Sequence, residues 1–238
     1  MPLTLDHPWV ADAAPSCGTS TIRIIRGVPA DLFTLSHHHY RATPPVAVER
    51  ILSAIDTQTG ELVGALGVSR PPLNDSWRTR AWPGLFSPCR NPQQRAVIIN
   101  SNIRIISRVV VVPSRRSLSL ARDLVSAYLA DPMTPCTEAL AAMGDLVPFF
   151  QRAGMRTIPL PTPRRDLALL RALSATGFSP LDLAGLDHLS GPLPDAVRHA
   201  LHVWARAHRS TRTLTDLFTI ALKASTALLT PRSAYVSP

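Results

Sequence analysis

Residues 103–112 read IRIISRVVVV, a β-branched run that ends in four consecutive valines. A strand with no polar stripe at its end is buried on both faces, so the sheet that holds it must be covered by helices. Pro113 follows and cannot donate to a sheet ladder, which stops the strand there. Residues 117–130 then place Leu118, Ala121, Leu124, Val125, Tyr128 and Leu129 at i, i+3, i+4 spacing, which predicts a helix. A buried strand running straight into a helix constrains the chain to an α/β class.

The surrounding pattern extends that unit. Residues 21–26 (TIRIIR) alternate as a half-buried strand does, and residues 29–35 suit a short helix. Two β-prone runs, 46–56 and 61–69, flank Thr57-Gln58-Thr59-Gly60, where glycine supplies the positive φ of a hairpin turn. Residues 70–100 are rich in Pro, Arg and Trp without clear periodicity, and read as a long binding loop or a disordered segment. Residues 136–141 and 155–160 read as strands, with a short helix over 148–153 ending at Gly154. From residue 163 the character changes, and helices are predicted over 165–176, 195–208 and 213–229. The expected organisation is a loose arm over 1–20, an α/β domain over 21–162 and a helical extension over 163–238.

Composition narrows the function classes. The formal charge is +9, split as +5 over residues 1–162 and +4 over 163–238, with no dense basic block. Of the 25 basic residues 24 are Arg, whose guanidinium pairs bidentately with phosphate. That favours an anionic small ligand over direct nucleic-acid binding. Cys17, Cys89 and Cys136 are too widely spaced for a disulfide framework or a zinc site. No apolar run reaches the roughly 18 residues of a membrane span, and the N-terminus lacks signal-peptide character. A cytoplasmic location without membrane contact is expected.

The chemistry concentrates at the strand–turn–helix unit. A helix N-terminus presents free backbone N–H groups and a partial positive charge, and so binds phosphate. Arg115 and Arg116 add cationic charge at the same turn. An ordinary strand–helix corner with exposed arginines is the alternative reading of these residues alone.

The segment Arg116-Ser117-Leu118-Ser119-Leu120-Ala121 resembles the acetyl-CoA-binding motif of the GNAT N-acetyltransferase superfamily. That motif reads Arg or Gln, two residues, Gly, one residue, then Gly or Ala. Downstream, Phe149-Phe150-Gln151-Arg152-Ala153-Gly154-Met155 is similar to the family's aromatic-Tyr-x-x-x-Gly-Phe ending. The run TEALAAMGDLVPFFQRAGM also resembles a subgroup of bacterial and phage GNAT-like proteins, some fused to ABC-type ATPases. The resemblance covers about residues 20–160. It implies a mixed, mostly antiparallel sheet flanked by helices, and an acetyl group transferred from acetyl-CoA to an amine acceptor. It also implies cofactor contacts from Val110, Val111, Val112, from the turn Arg115, Arg116, Ser117, Leu118, Ser119, Leu120, Ala121, and from Phe150. A backbone N–H around Val110 or Val112 is the expected oxyanion donor.

Three departures from the pattern bear on the chemistry. Ser117 and Ser119 stand where the family commonly has glycine, and Phe150 stands where its frequent general acid, a Tyr, would be. The transfer also needs a base to take the proton of the attacking amine. Glu138, alone in an apolar strand, is the first candidate, with a structural ion pair to an arginine such as Arg108 as the alternative. His39 and Tyr40, from the run His37-His38-His39-Tyr40, border the acceptor site in the implied fold; adjacent histidines point oppositely along a strand and do not suit one metal. Two functions follow. One is an N-acetyltransferase. The other is a degenerate GNAT-fold module that acts on a protein or nucleic-acid partner. A plain helical DNA-binding protein would need a helix-turn-helix, for which residues 195–229 offer two helices.

Overall fold

In a computed structural model, residues 21–39, 45–142, 144, 146–186, 193–230 and 232–238 are described, without the side chains of Ser117 and Leu118. The architecture is mixed α/β, a mostly antiparallel seven-stranded sheet flanked by helices, consistent with the GNAT-like arrangement. The strands are β1 Ile22–Arg26, β2 Val48–Asp56, β3 Leu62–Ser69, β4 Ile103–Val111, β5 Cys136–Ala141, β6 Arg156–Ile158 and β7 Ser233–Ser237. Their spatial order is β1-β2-β3-β4-β5-β7-β6. The predicted hairpin forms with Gly60 at φ 73°, and β1 through β4 pair antiparallel in succession. The β4–β5 pair is parallel.

The chain divides into two compact units. The sheet unit holds residues up to 140, with 149–158 and 235–238; the helical unit holds 141–148 and 159–234. The expectation of helix from residue 163 onward meets one difference. The last strand, β7, stands between β5 and β6 in the sheet. Its five residues, SAYVS, are too short for a hydrophobic period to separate them from a tail.

Within the sheet unit, helix α4 (Leu120–Ala130) packs Leu120 and Leu124 over β3. Gly64 allows this approach: a Cβ there would lie 3.3 Å from both leucine side chains and from the Val110 carbonyl. On β3, Ala65 shares a core cluster with Leu32, Leu35, Ile51 and Val110, where helix α1 (Pro29–Thr34) contributes Leu32.

The stretch 70–100, expected as an aperiodic loop, is largely structured. It holds α2 (Arg78–Ala81) and most of the eleven-residue α3 (Pro92–Asn102). Asn91 caps α3 by accepting from Gln94 N at 2.8 Å, and the Gln94 side chain returns to Arg90 N at 2.7 Å. The apolar pattern of α3 is sparse because only Ile99 is buried along it, and hydrophobic periodicity therefore misses it. Phe86, Ile99 and Ile103 form its core, with Cys89 and Cys136 against them.

The helical unit packs α6 (Arg164–Ala175), α7 (Asp195–Arg206) and α8 (Leu217–Leu229) around Leu169, Leu173, Leu201, Trp204, Ile220 and Ala224. A polar contact is enclosed there: Trp204 Nε1 donates to Asp166 Oδ1 at 2.6 Å, and the Arg165 guanidinium lies 4.3 Å from the Trp204 ring centre. Helix α5 (Phe149–Arg152) belongs to the sheet unit and ends at Gly154, φ 93°. Among the described residues no helix is long and apolar enough to cross a membrane.

Candidate functional site

The distinctive geometry lies where β4 and β5 part. Their parallel register runs from Ile103↔Cys136 to Ile106↔Ala139 and goes no further among the described residues, although β4 continues to Val111 and β5 to Ala141. The parting begins at a β-bulge. On the β3 side the register shifts between Gly67 and Val68, which leaves Ser107 as the extra residue of β4. Its hydroxyl offsets the disruption by reaching the Gly67 carbonyl at 3.1 Å, and it also lies 2.7 Å from the Ser69 hydroxyl.

Past the bulge, one edge of β4 is bonded to β3 and the other opens toward the gap. Val112 N donates to Val63 O at 3.0 Å. Backbone groups alternate sides along an antiparallel strand, so Val110 also faces β3, while Val109 and Val111 face the gap. The expected oxyanion donors, around Val110 or Val112, lie on the β3 side of the strand. Val110 and Val112 spend their N–H groups on the sheet; the N–H groups presented to the gap belong to Val109 and Val111. Neighbouring valines look alike in sequence, and only the pairing parity separates them.

The turn after β4 is a 3₁₀ segment, Pro113–Leu118, closed by Ser119 at φ 59°, ψ 9°. Ser119 therefore occupies the left-handed region that favours glycine, at the central glycine position of the resembled motif. Its exposed side chain makes no cap hydrogen bond to the first N–H groups of α4. Leu120 is buried, and Ala121 lies in the open first turn.

The two arginines of the turn are already engaged. Arg115 Nη2 donates to Asp56 Oδ2 at 2.6 Å, and Asp56 is only 1% exposed, so this guanidinium neutralises a buried carboxylate. Arg116 bonds the Val111 carbonyl at 3.2 Å and the His38 carbonyl at 2.9 Å. Both acceptors are neutral, so Arg116 keeps its charge at the mouth of the turn. Partial burial, then the charges of His37 and Arg116, push the His38 imidazole below its ordinary range.

Glu138 and His39 are found elsewhere than expected of bases. Glu138 is fully buried in the sheet unit. Its Oε1 accepts from Arg78 Nε at 2.7 Å and from Trp82 Nε1 at 2.9 Å, while Oε2 accepts from Arg78 Nη2 at 2.8 Å. Arg78 is itself fully buried and reaches the Pro72 carbonyl at 2.9 Å and Asp75 at 3.3 Å. Both carboxylate oxygens are therefore committed to donors from residues 78–82. The arginine anticipated as partner was Arg108; the actual one is Arg78, from a stretch without a periodic signature. Arg108 instead contacts His39 Nδ1. A guanidinium only donates, so Nδ1 is the acceptor in this contact. Tyr40 lies outside the described residues.

Phe150 is buried, with ring centres 4.3 Å from Phe149 and 5.1 Å from Tyr235 of β7 in a stacked arrangement. Tyr235 was not singled out from sequence, and the brevity of β7 explains why. Among the described residues no group of three His, Cys, Asp or Glu side chains could hold a metal.

No family model and no curated protein matches the chain. A solved structure described as "Crystal structure of SsHAT" aligns with 60% of this chain and 95% of its own, at a TM-score of 0.38 and 12% identity. That similarity is too low to carry an argument about this chain.

Proposed function

We propose that this protein binds acetyl-CoA in the gap between β4 and β5 and transfers its acetyl group to an amine. The observation that carries the reading is the parallel β4–β5 pair that parts at the Ser107 bulge beside the start of α4. A slot of that kind accepts an extended amide arm through open strand groups, and the helix start accepts its diphosphate. The residues fit such a ligand. First-turn N–H groups of α4 and the Arg116 charge would meet the phosphates, while Val111 and Val109 N–H groups would meet the arm and the thioester carbonyl. Val110, Val112, Leu120 and Phe150 build the walls; Arg115 holds the turn through Asp56.

In the reaction the amine nitrogen attacks the thioester carbon, the C–S bond breaks, and the proton the amine loses passes to the departing thiolate, which leaves as the free CoA thiol. The chain's contribution is position and a polarised carbonyl. Glu138 is assigned a structural role, and His39 a place bordering the acceptor.

A second reading is a module that holds CoA without turnover, or acts on a protein or nucleic-acid partner. It is favoured by Glu138 having both oxygens occupied and by Phe150 lacking a hydroxyl. Calorimetric titration with acetyl-CoA and CoA tests the binding step, comparing wild type with Ala121→Glu. A carboxylate in the first turn suits the helix dipole but repels a diphosphate in the same place. Saturable binding lost in the variant supports the site. An absence of binding up to millimolar ligand, about 4 kcal/mol of affinity, sinks it. With binding established, thiol release over an amine panel separates the two readings.

A further inference from the structure

The helical unit carries a basic surface that the acyl-transfer reading does not use. Residues 198–212, RHALHVWARAHRSTR, contain four Arg and three His and no acid. Helical periodicity sorts them. Val197, Leu201, Trp204 and Ala205 of α7 are buried in the core of the unit, while Arg198, His199 and Arg206 are exposed on the other side. His208, Arg209 and Arg212 continue the exposed set past the end of α7.

That continuation is a built turn. Thr211 is 5% exposed, and its hydroxyl donates to the Ala205 carbonyl at 2.7 Å. Arg212 N and Thr211 N both return to the His208 carbonyl, at 2.9 and 3.1 Å, and Ser210 N reaches His208 Nδ1 at 3.3 Å. The buried Thr211 fixes the backbone of the turn from beneath, with Arg209 and Arg212 exposed on it.

The carboxylates described in this unit do not neutralise the patch. Asp166 accepts from Trp204, Asp182 caps Ser179, and Asp216 caps Thr219. Asp195 lies 3.9 Å from Arg198 and is almost fully exposed. Among the described residues, Arg206, Arg209 and Arg212 have no carboxylate within ion-pair distance.

We infer that this surface docks the phosphate backbone of duplex nucleic acid without reading sequence. Charge complementarity selects a polyanion, and guanidinium forks match phosphate oxygens. The rest of the surface narrows the polyanion. Trp204 is buried, and the stripe exposes no Trp, Tyr or Phe ring on which an unpaired base could stack. Its one exposed large apolar residue is Val203, too little to insert into a lipid surface. The inference does not depend on the acetyl-CoA site.

Fluorescence anisotropy of a labelled 20-base-pair DNA duplex with the full chain, between 50 and 200 mM salt, tests it. Four arginine–phosphate contacts imply a log–log salt slope of about −3.6, so the association constant should fall about 150-fold over that range. The triple variant Arg206→Ala/Arg209→Ala/Arg212→Ala should bind more weakly and lose only about 3.5-fold. Replacing the same three residues by Lys should restore most of the binding, and it separates lost charge from lost folding. The control Arg23→Ala/Arg26→Ala/Arg90→Ala removes equal charge from exposed positions of the sheet unit and should bind as wild type. The inference is overturned by no binding at 50 mM salt, by equal losses in the two Ala triples, or by binding to phosphatidylserine vesicles in place of DNA.

Discussion

Replacing Ser119 by glycine should stabilise the sheet unit, because Ser119 holds a left-handed conformation with its side chain exposed and capping nothing. An L-residue in that region costs roughly 1–2 kcal/mol relative to the right-handed one, through the approach of Cβ to the carbonyl oxygen. Glycine removes that cost but adds unfolded-state entropy worth about 0.4–1 kcal/mol. The difference leaves a net gain of about 0.5–1 kcal/mol, or a rise in Tm of roughly 1–4 °C for a chain of this size. Ser119→Ala isolates the cause. It deletes the hydroxyl but keeps Cβ, so it should stay within about 0.5 kcal/mol of wild type, as ordinary surface changes do. Urea unfolding followed by circular dichroism gives the global value, and hydrogen exchange across residues 120–130 localises it to α4. If the Gly and Ala variants prove equally stable, backbone strain is not what Ser119 stores, and the argument from φ 59° fails. If the acetyl-CoA site is real, Ser119→Gly should also bind the ligand more tightly, since the backbone can approach the diphosphate more closely.

Arg78→Leu should destabilise the sheet unit by about 3–5 kcal/mol, since it strands the buried Glu138 carboxylate, and Arg78→Leu/Glu138→Leu should recover much of that loss; chemical denaturation of the two variants decides it. Trp204→Phe removes the bond to Asp166 Oδ1 and should cost the helical unit about 1.5–3 kcal/mol, measured by the loss of exchange protection in α6 and α7. Burial alone would raise Glu49, but hydrogen bonds from Arg70 and Arg104 and their charges outweigh it and hold the carboxyl below its usual value. A carboxyl lowered in the folded state adds stability above its unfolded pKa of about 4.3 and loses it as pH falls through the lower folded value. The stability gap between wild type and Glu49→Gln should therefore be full at pH 6 and close progressively below about pH 4; a gap unchanged down to pH 2 would refute the assignment.

The elements legible in the sequence are those whose burial leaves a pattern. The valine run of β4 shows its burial as an unbroken apolar stretch, Gly60 marks the hairpin, and the apolar rows of α6 and α7 follow a 3.6-residue repeat. Helix α3 buries only Ile99 along its length, and β7 is five residues long, so neither leaves a repeat to read. Side-chain partnerships were less legible still. Glu138 was expected to meet either a substrate or Arg108, and it meets Arg78, 60 residues away in the chain, because the stretch between β3 and β4 folds back on β5. Nothing local to Glu138 encodes that closure.

On the proposed reading, the contacts to acetyl-CoA would come from the backbone: N–H groups of β4 freed where β5 departs, and N–H groups at the start of α4. A strand edge presents those groups whatever side chains it carries, provided the bulge and the parting survive. Ser107 sustains the bulge by bonding Gly67 and Ser69, and Arg116 ties the end of β4 to the His38 carbonyl. Ser119 reproduces the turn a glycine would make, at an energetic cost. The residues under strongest constraint are therefore those that keep β4 bent and parted, not those that would touch a ligand. Substituting Ser107 should then disturb acetyl-CoA binding more than substituting Ser117, although only Ser117 belongs to the resembled motif, and parallel calorimetric titrations of Ser107→Val and Ser117→Ala would show equal losses if the argument is wrong.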